Sequence, residues 1–310
     1  ASLTAVSVRA DASTGESAVL ENVLFGDVYL CGGQSNMQFS MPANSNSTEE
    51  ARAADRYPHV RLFTVGQGTA SDRPLDDLQT IKQPWSVASY DALMGNSWMD
   101  RFSSVCWFFG RTVADGLDNE VPVGLVSNNW GGTLVELWST TEALTKCKRT
   151  DPQGKLYNAM IHPYTVGPMA VSGFTWYQGE ANTKSQASAD AYACLFPAMI
   201  SSWREKFAVP EAFFGFVQLS TWCPKDPASP AELREAQMKA LDLPGGKVGY
   251  STNADHGAGC NIHPPDKKPC GTRLGNSALA LNYGKNLHWK SPSYAGVSGV
   301  VSRKVSLPQL

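Results

Sequence analysis

The sequence predicts an α/β protein whose mostly parallel sheet is covered by helices on both faces. Two observations carry that prediction: short apolar runs alternate with helix-period segments along the chain, and polar turns close several of those runs. With 310 residues, 42% of them hydrophobic, the chain is long enough for a large core. In open sheets of this kind, ligands sit beyond the carboxyl ends of the strands.

Residues 1–24 alternate weakly and predict one or two edge strands. Asp27–Cys31 is the first core strand, an apolar run of Val28, Tyr29, Leu30 and Cys31 between turn formers. Gly32 and Gly33 then permit a sharp bend that presents Ser35. Thr48–Arg56 predicts a short helix with acidic residues in its first turn, and Val60–Val65 a strand. From Gly66 to Asn96, a stretch rich in Asp, Gln, Ser, Gly and Pro predicts a long surface excursion.

Ser103-Ser104 caps a helix whose apolar face carries Val105, Phe108, Phe109, Val113 and Leu117. Pro122–Val126 is a strand that runs into Trp130-Gly131-Gly132-Thr133. Helices are expected at Thr140–Lys146 and near Leu156–Ile161, with the loop Pro152-Gln153-Gly154 between them. The next strand, Val171–Tyr177, ends in Gln178-Gly179-Glu180-Ala181-Asn182. Ala187–Lys206 (helix), Ala212–Leu219 (strand), Pro230–Leu241 (helix, with Ser229 as a cap), Lys247–Thr252 (strand) and Thr272–Tyr283 (helix) complete the pattern. Ser35, Gly131, Gln178 and Asp255 all follow strand ends and are expected to converge.

Composition narrows the partners. A net charge of -2 with scattered Lys and Arg leaves no electrostatic footprint for nucleic acid or an anionic membrane. No apolar run approaches the ~20 residues of a membrane helix. Seven cysteines and the sequon Asn46-Ser47-Thr48 point to a secreted or lumenal glycoprotein, with at least one thiol unpaired within the chain. The chain begins at Ala1, so any signal peptide is expected to have been removed or left out.

A serine hydroxyl needs a base, and histidine is matched to neutral pH. Among His59, His162, His256, His263 and His288, His263 lies on the rim where Ser35 is expected. Oxyanion donors are expected from the backbone amides of Ser35 and of Gly131 or Gly132, and from the side chain of Gln178. Competing readings of the Ser35 turn are a phosphate loop, which lacks its Lys and Ser/Thr after the last glycine, and a plain structural turn. His256, Cys260, His263 and Cys270 supply four soft ligands for a zinc site. A Cys260–Cys270 disulfide is the other reading of those thiols.

Gly-Gln-Ser-Asn-Met at 33–37, Trp-Gly-Gly-Thr at 130–133, Trp-Tyr-Gln-Gly-Glu-Ala-Asn at 176–182 and Ile-His-Pro at 262–264, followed by Lys267-Lys268 and Arg273-Leu274, together resemble the sialate O-acetylesterase family within the SGNH-hydrolase group. The resemblance spans roughly residues 22–288. It implies a flavodoxin-like three-layer α/β/α sandwich and metal-free, cofactor-free removal of O-acetyl groups from carbohydrate through an acetyl-serine. Ser35 matches the nucleophile, His263 the base and Gly132 or its neighbour the oxyanion glycine. Gln34, Trp130, Glu180 and Asn182, inside the same motifs, are expected to bind substrate.

Residues 22–290 then form the hydrolase domain and 291–310 a C-terminal tail, with 1–21 as edge strands or the remnant of a preceding β-rich domain. One departure concerns the acid. Many SGNH hydrolases place an Asp three residues before the histidine, where this chain has Cys260, with Asn261 next. Asp255 is the expected substitute, ahead of Asp266 and Glu180, and a Ser-His dyad is the other arrangement. A glycan-binding protein that kept the fold and lost the chemistry is the alternative function.

Overall fold

A computed structural model describes residues 2–149, 154–167, 169–224 and 229–292. The tail expected at 291–310 and the loop at Pro152-Gln153 lie almost wholly outside these residues. The chain opens with β1 (Ser2–Asp11) and β2 (Ser17–Phe25), an antiparallel pair. They form a sheet of their own and do not extend the central one as edge strands.

The central sheet begins with β3 (Asp27–Gly33), which leads into the four-residue helix α1 (Ser35–Gln38) and then α2 (Ser47–Ala53). Next come β4 (Val60–Val65), β5 (Ile81–Val87), α3 (Tyr90–Leu93) and α4 (Ser104–Gly116). The excursion expected over Gly66–Asn96 therefore contains a strand and a short helix. β5 is an antiparallel edge strand on β4, mostly exposed and interrupted by Pro84, a residue that edge strands tolerate. Its composition resembles a loop for that reason.

After β6 (Val123–Asn129) the chain forms α5 (Thr141–Lys146), a π-turn over Tyr157–Ile161 and α6 (Pro163–Val166). The second half runs β7 (Gly173–Tyr177), α7 (Gln186–Lys206), β8 (Phe213–Val217), α8 (Ser229–Met238), β9 (Val248–Ser251) and α9 (Lys268–Leu281). Ser103 and Thr140 cap α4 and α5 by accepting from backbone N–H groups three residues on. Ser229 opens α8, but its hydroxyl donates to the carbonyl of Thr183.

The sheet order is β5-β4-β6-β3-β7-β8-β9, parallel throughout except for β5. A flavodoxin order would pair β3 with β4; here β6 stands between them. The chain builds one flank of β3 with β4, β5 and β6, and then the other with β7, β8 and β9. The carboxyl end of β3 is therefore the switch point at which a crevice opens.

Alternation along the strands divides the core into two layers. Tyr29 and Phe213 face α4, where both pack on Phe109, and a Cys31–Cys106 disulfide joins β3 to that helix. On the other face Phe174 and Trp176 pack on Trp203 of α7. Each fully buried side chain of this kind contributes roughly 1.5–3 kcal/mol, enough over the two layers to hold the strand ends in fixed register.

Candidate active site

The site forms where β3 runs out. Gly33 has φ +143°, and a Cβ there would lie 2.1 Å from the carbonyl oxygen of Tyr177, so only glycine lets β3 pass this close to β7. Its own carbonyl accepts from Trp130 N–H at 3.0 Å, which ties the turn after β6 to the same point. Gln34 then caps α1, with its side-chain oxygen accepting from Ala181 N–H at 3.1 Å. Three strand-end turns are thus fastened together before any chemistry is added.

Ser35, the first residue of α1, is almost fully buried, and its Oγ lies 2.8 Å from Nε2 of His263. His263 comes from the loop between β9 and α9. A Cys223–Cys260 disulfide anchors that loop, and Asn261 braces it by accepting His263 N–H at 2.9 Å. The Trp98 ring lies 5.0 Å from the imidazole. Burial lowers the His263 pKa, and the positive charge of Lys267 lowers it further. A neutral imidazole at that distance can accept a hydroxyl proton.

Ser35 and His263 border a cleft of about 630 Å³ shared with Gln34, Gln38, Trp130 and Glu180. Gly132 lines it at φ +73°, and a Cβ there would meet nothing within 4 Å. Among the described residues the backbone N–H groups of Ser35 and Gly132 carry no hydrogen bond. Gly131 is close to the serine, since its Cβ would lie 3.3 Å from that of Ser35, but its N–H is given to Gln38 Oε1 at 2.8 Å. Among the described residues the Gln38 NH2 has no partner, and Gln38 lines the cleft. Sequence reasoning missed Gln38, although its place one helical turn after Ser35 was a usable signal.

Three expected residues are occupied elsewhere. Gln178 is fully buried and donates to the Thr133 carbonyl at 3.0 Å and to Asn182 Oδ1 at 2.7 Å, so it does not face the cleft as an oxyanion donor. Asn182 is equally buried, accepting from Val135 N–H and donating to Glu136, which makes it a brace behind the wall and not a substrate ligand. Asp255 places both carboxylate oxygens on Arg273 of α9, at 2.8 and 2.6 Å. The guanidinium holds its pKa down at about 2. Position at a strand end had suggested Asp255, yet a bidentate fork from α9 takes the group away from the histidine. Among the described residues no carboxylate is hydrogen-bonded to the His263 ring.

Glu180 does reach the cleft. It is buried and accepts from Asn36 Nδ2 through Oε1, while Oε2 has no partner among the described residues. Burial raises its pKa, against the opposing pull of its own backbone amide, Asn36 and Lys267. The zinc alternative fails on its ligands: Cys260 is in the disulfide with Cys223, and Cys270 is a buried thiol in α9 whose pKa burial raises to about 12. Cys260 and Cys270 are therefore not paired with each other. A third disulfide, Cys147–Cys194, joins the end of α5 to α7.

Comparison with known proteins places the chain in a family. The family described as carbohydrate esterase, sialic acid-specific acetylesterase matches residues 25–263. Sialate O-acetylesterase of Homo sapiens is 36% identical over 304 residues, an alignment covering 88% of this chain and 57% of that protein. The Mus musculus protein of the same name is 33% identical over 330 residues, with coverage of 88% and 60%. A solved carbohydrate acetylesterase from Xanthomonas citri superposes with a TM-score of 0.78 at 32% identity, covering 90% of this chain and 61% of that one. A protein from Arabidopsis thaliana shares the fold at a TM-score of 0.50 and 15% identity. The chain spans a little under two thirds of the length of the curated relatives it matches. It belongs to the sialic acid-specific acetylesterase family of carbohydrate esterases.

Proposed function

We propose that the protein removes O-acetyl groups from carbohydrate through an acetyl-serine on Ser35. The observation that carries this reading is the 2.8 Å contact between Ser35 Oγ and a half-buried His263 at the edge of the cleft. His263 Nε2 takes the hydroxyl proton as Oγ attacks the ester carbonyl, and the oxyanion forms beside the amides of Ser35 and Gly132 and the Gln38 side chain. Collapse breaks the bond to the sugar oxygen, which receives the proton from His263. A water activated by the same imidazole then cleaves the acetyl-serine and releases acetate.

Without a carboxylate on the imidazole, the pair works as a dyad whose orientation comes from the Cys223–Cys260 loop and Asn261. The acetyl chemistry is supported by the family and by relatives named as sialate O-acetylesterases. Gln34, Trp130 and Glu180 contact the sugar on this reading, since all three line the cleft. Three disulfides favour a secreted or lumenal location, and exposed Asn46 is available to a glycan. No helix among the described residues is long and apolar enough to cross a membrane.

The test is acetate release from an acetylated sialic acid, acetylated xylan and an aryl acetate, with Ser35→Ala beside the parent. The expected outcome is a loss of roughly four or more orders of magnitude in kcat in a variant that melts like the parent. A folded parent that binds these glycans and releases nothing would make it a binding protein on an esterase fold.

A further inference from the structure

Lys267 is fully buried, one hydrogen bond from the residue after the nucleophile, and takes no part in the scheme above. An ammonium has donors and no acceptor, and burying one is costly unless its hydrogen bonds are made. Here Nζ donates to Asn36 Oδ1 and sits over two ring faces, Phe39 at 4.6 Å and Tyr177 at 5.5 Å. Because Lys267 can only donate, it fixes which end of the Asn36 amide faces it. The NH2 end must then point the other way, where it donates to Glu180 Oε1 and, at 2.9 Å, to the carbonyl of Ile262.

Asn36 is the neighbour of Ser35, and Ile262 is the neighbour of His263. We infer that Lys267 is a positioning residue for the esterase reaction: by orienting the Asn36 amide it locks the Ile262–His263 segment against Ser35 and sets the contact between nucleophile and base. The inference rests on the assignment of Ser35 and His263 made above. Without the ammonium Asn36 Oδ1 loses its donor and the amide is held only by Glu180 and the Ile262 carbonyl, so the bond from the nucleophile turn to the base loop loosens.

Charge gives the device a second readout. The groups around Lys267 are the Cys270 thiol on α9, Glu180 after β7 and its own neighbour Asp266, and the two carboxylates favour the ammonium. Burial is the larger influence and brings the Lys267 pKa down to about 8, so the group is mostly charged at neutral pH. That charge disfavours protonation of His263. Neutralising it lets the imidazole hold a proton to higher pH, so the acid limb of kcat/KM moves upward.

The experiment measures acetate release against pH for the parent, Ser35→Ala, Lys267→Met and Lys267→Gln, with a melting curve for each. Lys267→Met is expected to lower kcat by about tenfold or more, the size of a small misplacement of reacting groups, with KM little changed. Lys267→Gln keeps a donor for Asn36 and should recover part of that loss. Both variants should show the acid limb displaced to higher pH by a similar amount, since both lose the same charge. Should Lys267→Met fail to fold, the glutamine variant carries the test. A folded variant with kcat within about twofold of the parent and an unmoved acid limb overturns the inference. An inactive parent, or an active Ser35→Ala, overturns the esterase assignment and this inference with it.

Discussion

The cleft has two walls, and they are built on different principles. The nucleophile wall is made of strand ends: Gly33, Trp130, Tyr177 and Ala181 are joined by backbone bonds or by the Gln34 side chain, and Gln178 and Asn182 brace them from behind. The base wall is a loop after β9, fixed by one disulfide, by Asn261 and by the Arg273–Asp255 pair. In the first wall, polar side chains in the motifs are largely consumed by structure. In the second, few groups are consumed, and the histidine depends on a handful of tethers.

The largest expected effect tests the first wall. Gln38→Ala removes the acceptor of the Gly131 amide and a free donor on the cleft, and should lower kcat by about a hundredfold if that NH2 meets the oxyanion. Gln178→Met should do the reverse. It leaves kcat within a few-fold but lowers stability by about 1–3 kcal/mol, because the buried Thr133 carbonyl loses its donor and Asn182 Oδ1 keeps only Val135 N–H. Steady-state acetate release and denaturant melts on both proteins check the pair. A Gln178 variant with normal stability and a collapsed rate would break the distinction.

A middle-sized effect is expected at the tether of the base wall. Cys223→Ser with Cys260→Ser frees the loop that carries His263 and should reduce kcat by about tenfold, through loss of the geometry at Ser35. Stability should drop by roughly 2–4 kcal/mol as well. Turnover and melting of the double variant beside the oxidised parent check both expectations. If turnover stays normal, Asn36 and Asn261 suffice to place the base.

Much of the nucleophile wall was legible because its signals are local. A short apolar strand, two glycines and a serine need no knowledge of distant residues, and the parallel sheet brings every strand end to one side. An element with strong period, such as α4, was legible for the same reason. What the sequence left open is what each polar group bonds to. Gln178 and Gln38 are both glutamines beside glycine turns, and only the packing of Thr133 and Asn182 separates brace from donor. Asp255 failed similarly: placement along the chain was right, but α9 brings Arg273 across it. β5 was missed because an edge strand has one hydrogen-bonded neighbour and little burial to impose an alternating pattern.

The smallest effect belongs to Asp255 itself. Asp255→Asn should leave turnover within about twofold, whereas removing a true triad acid would cost about four orders of magnitude. Its carboxylate is about half exposed, so the pair with Arg273 contributes little to stability, about 1 kcal/mol or less. The pH dependence has a definite sign. Because Arg273 lowers the folded-state pKa of Asp255 to about 2, the contribution is fully present above the ordinary carboxylate range and disappears as pH falls through the folded value. Parent and Asp255→Asn melts should therefore differ slightly at neutral pH and converge in strong acid, with acetate release alike wherever both are folded. A large loss of turnover in the asparagine variant would mean that the base wall transmits its charge to His263 through Arg273, and would make the two walls equal partners in the chemistry.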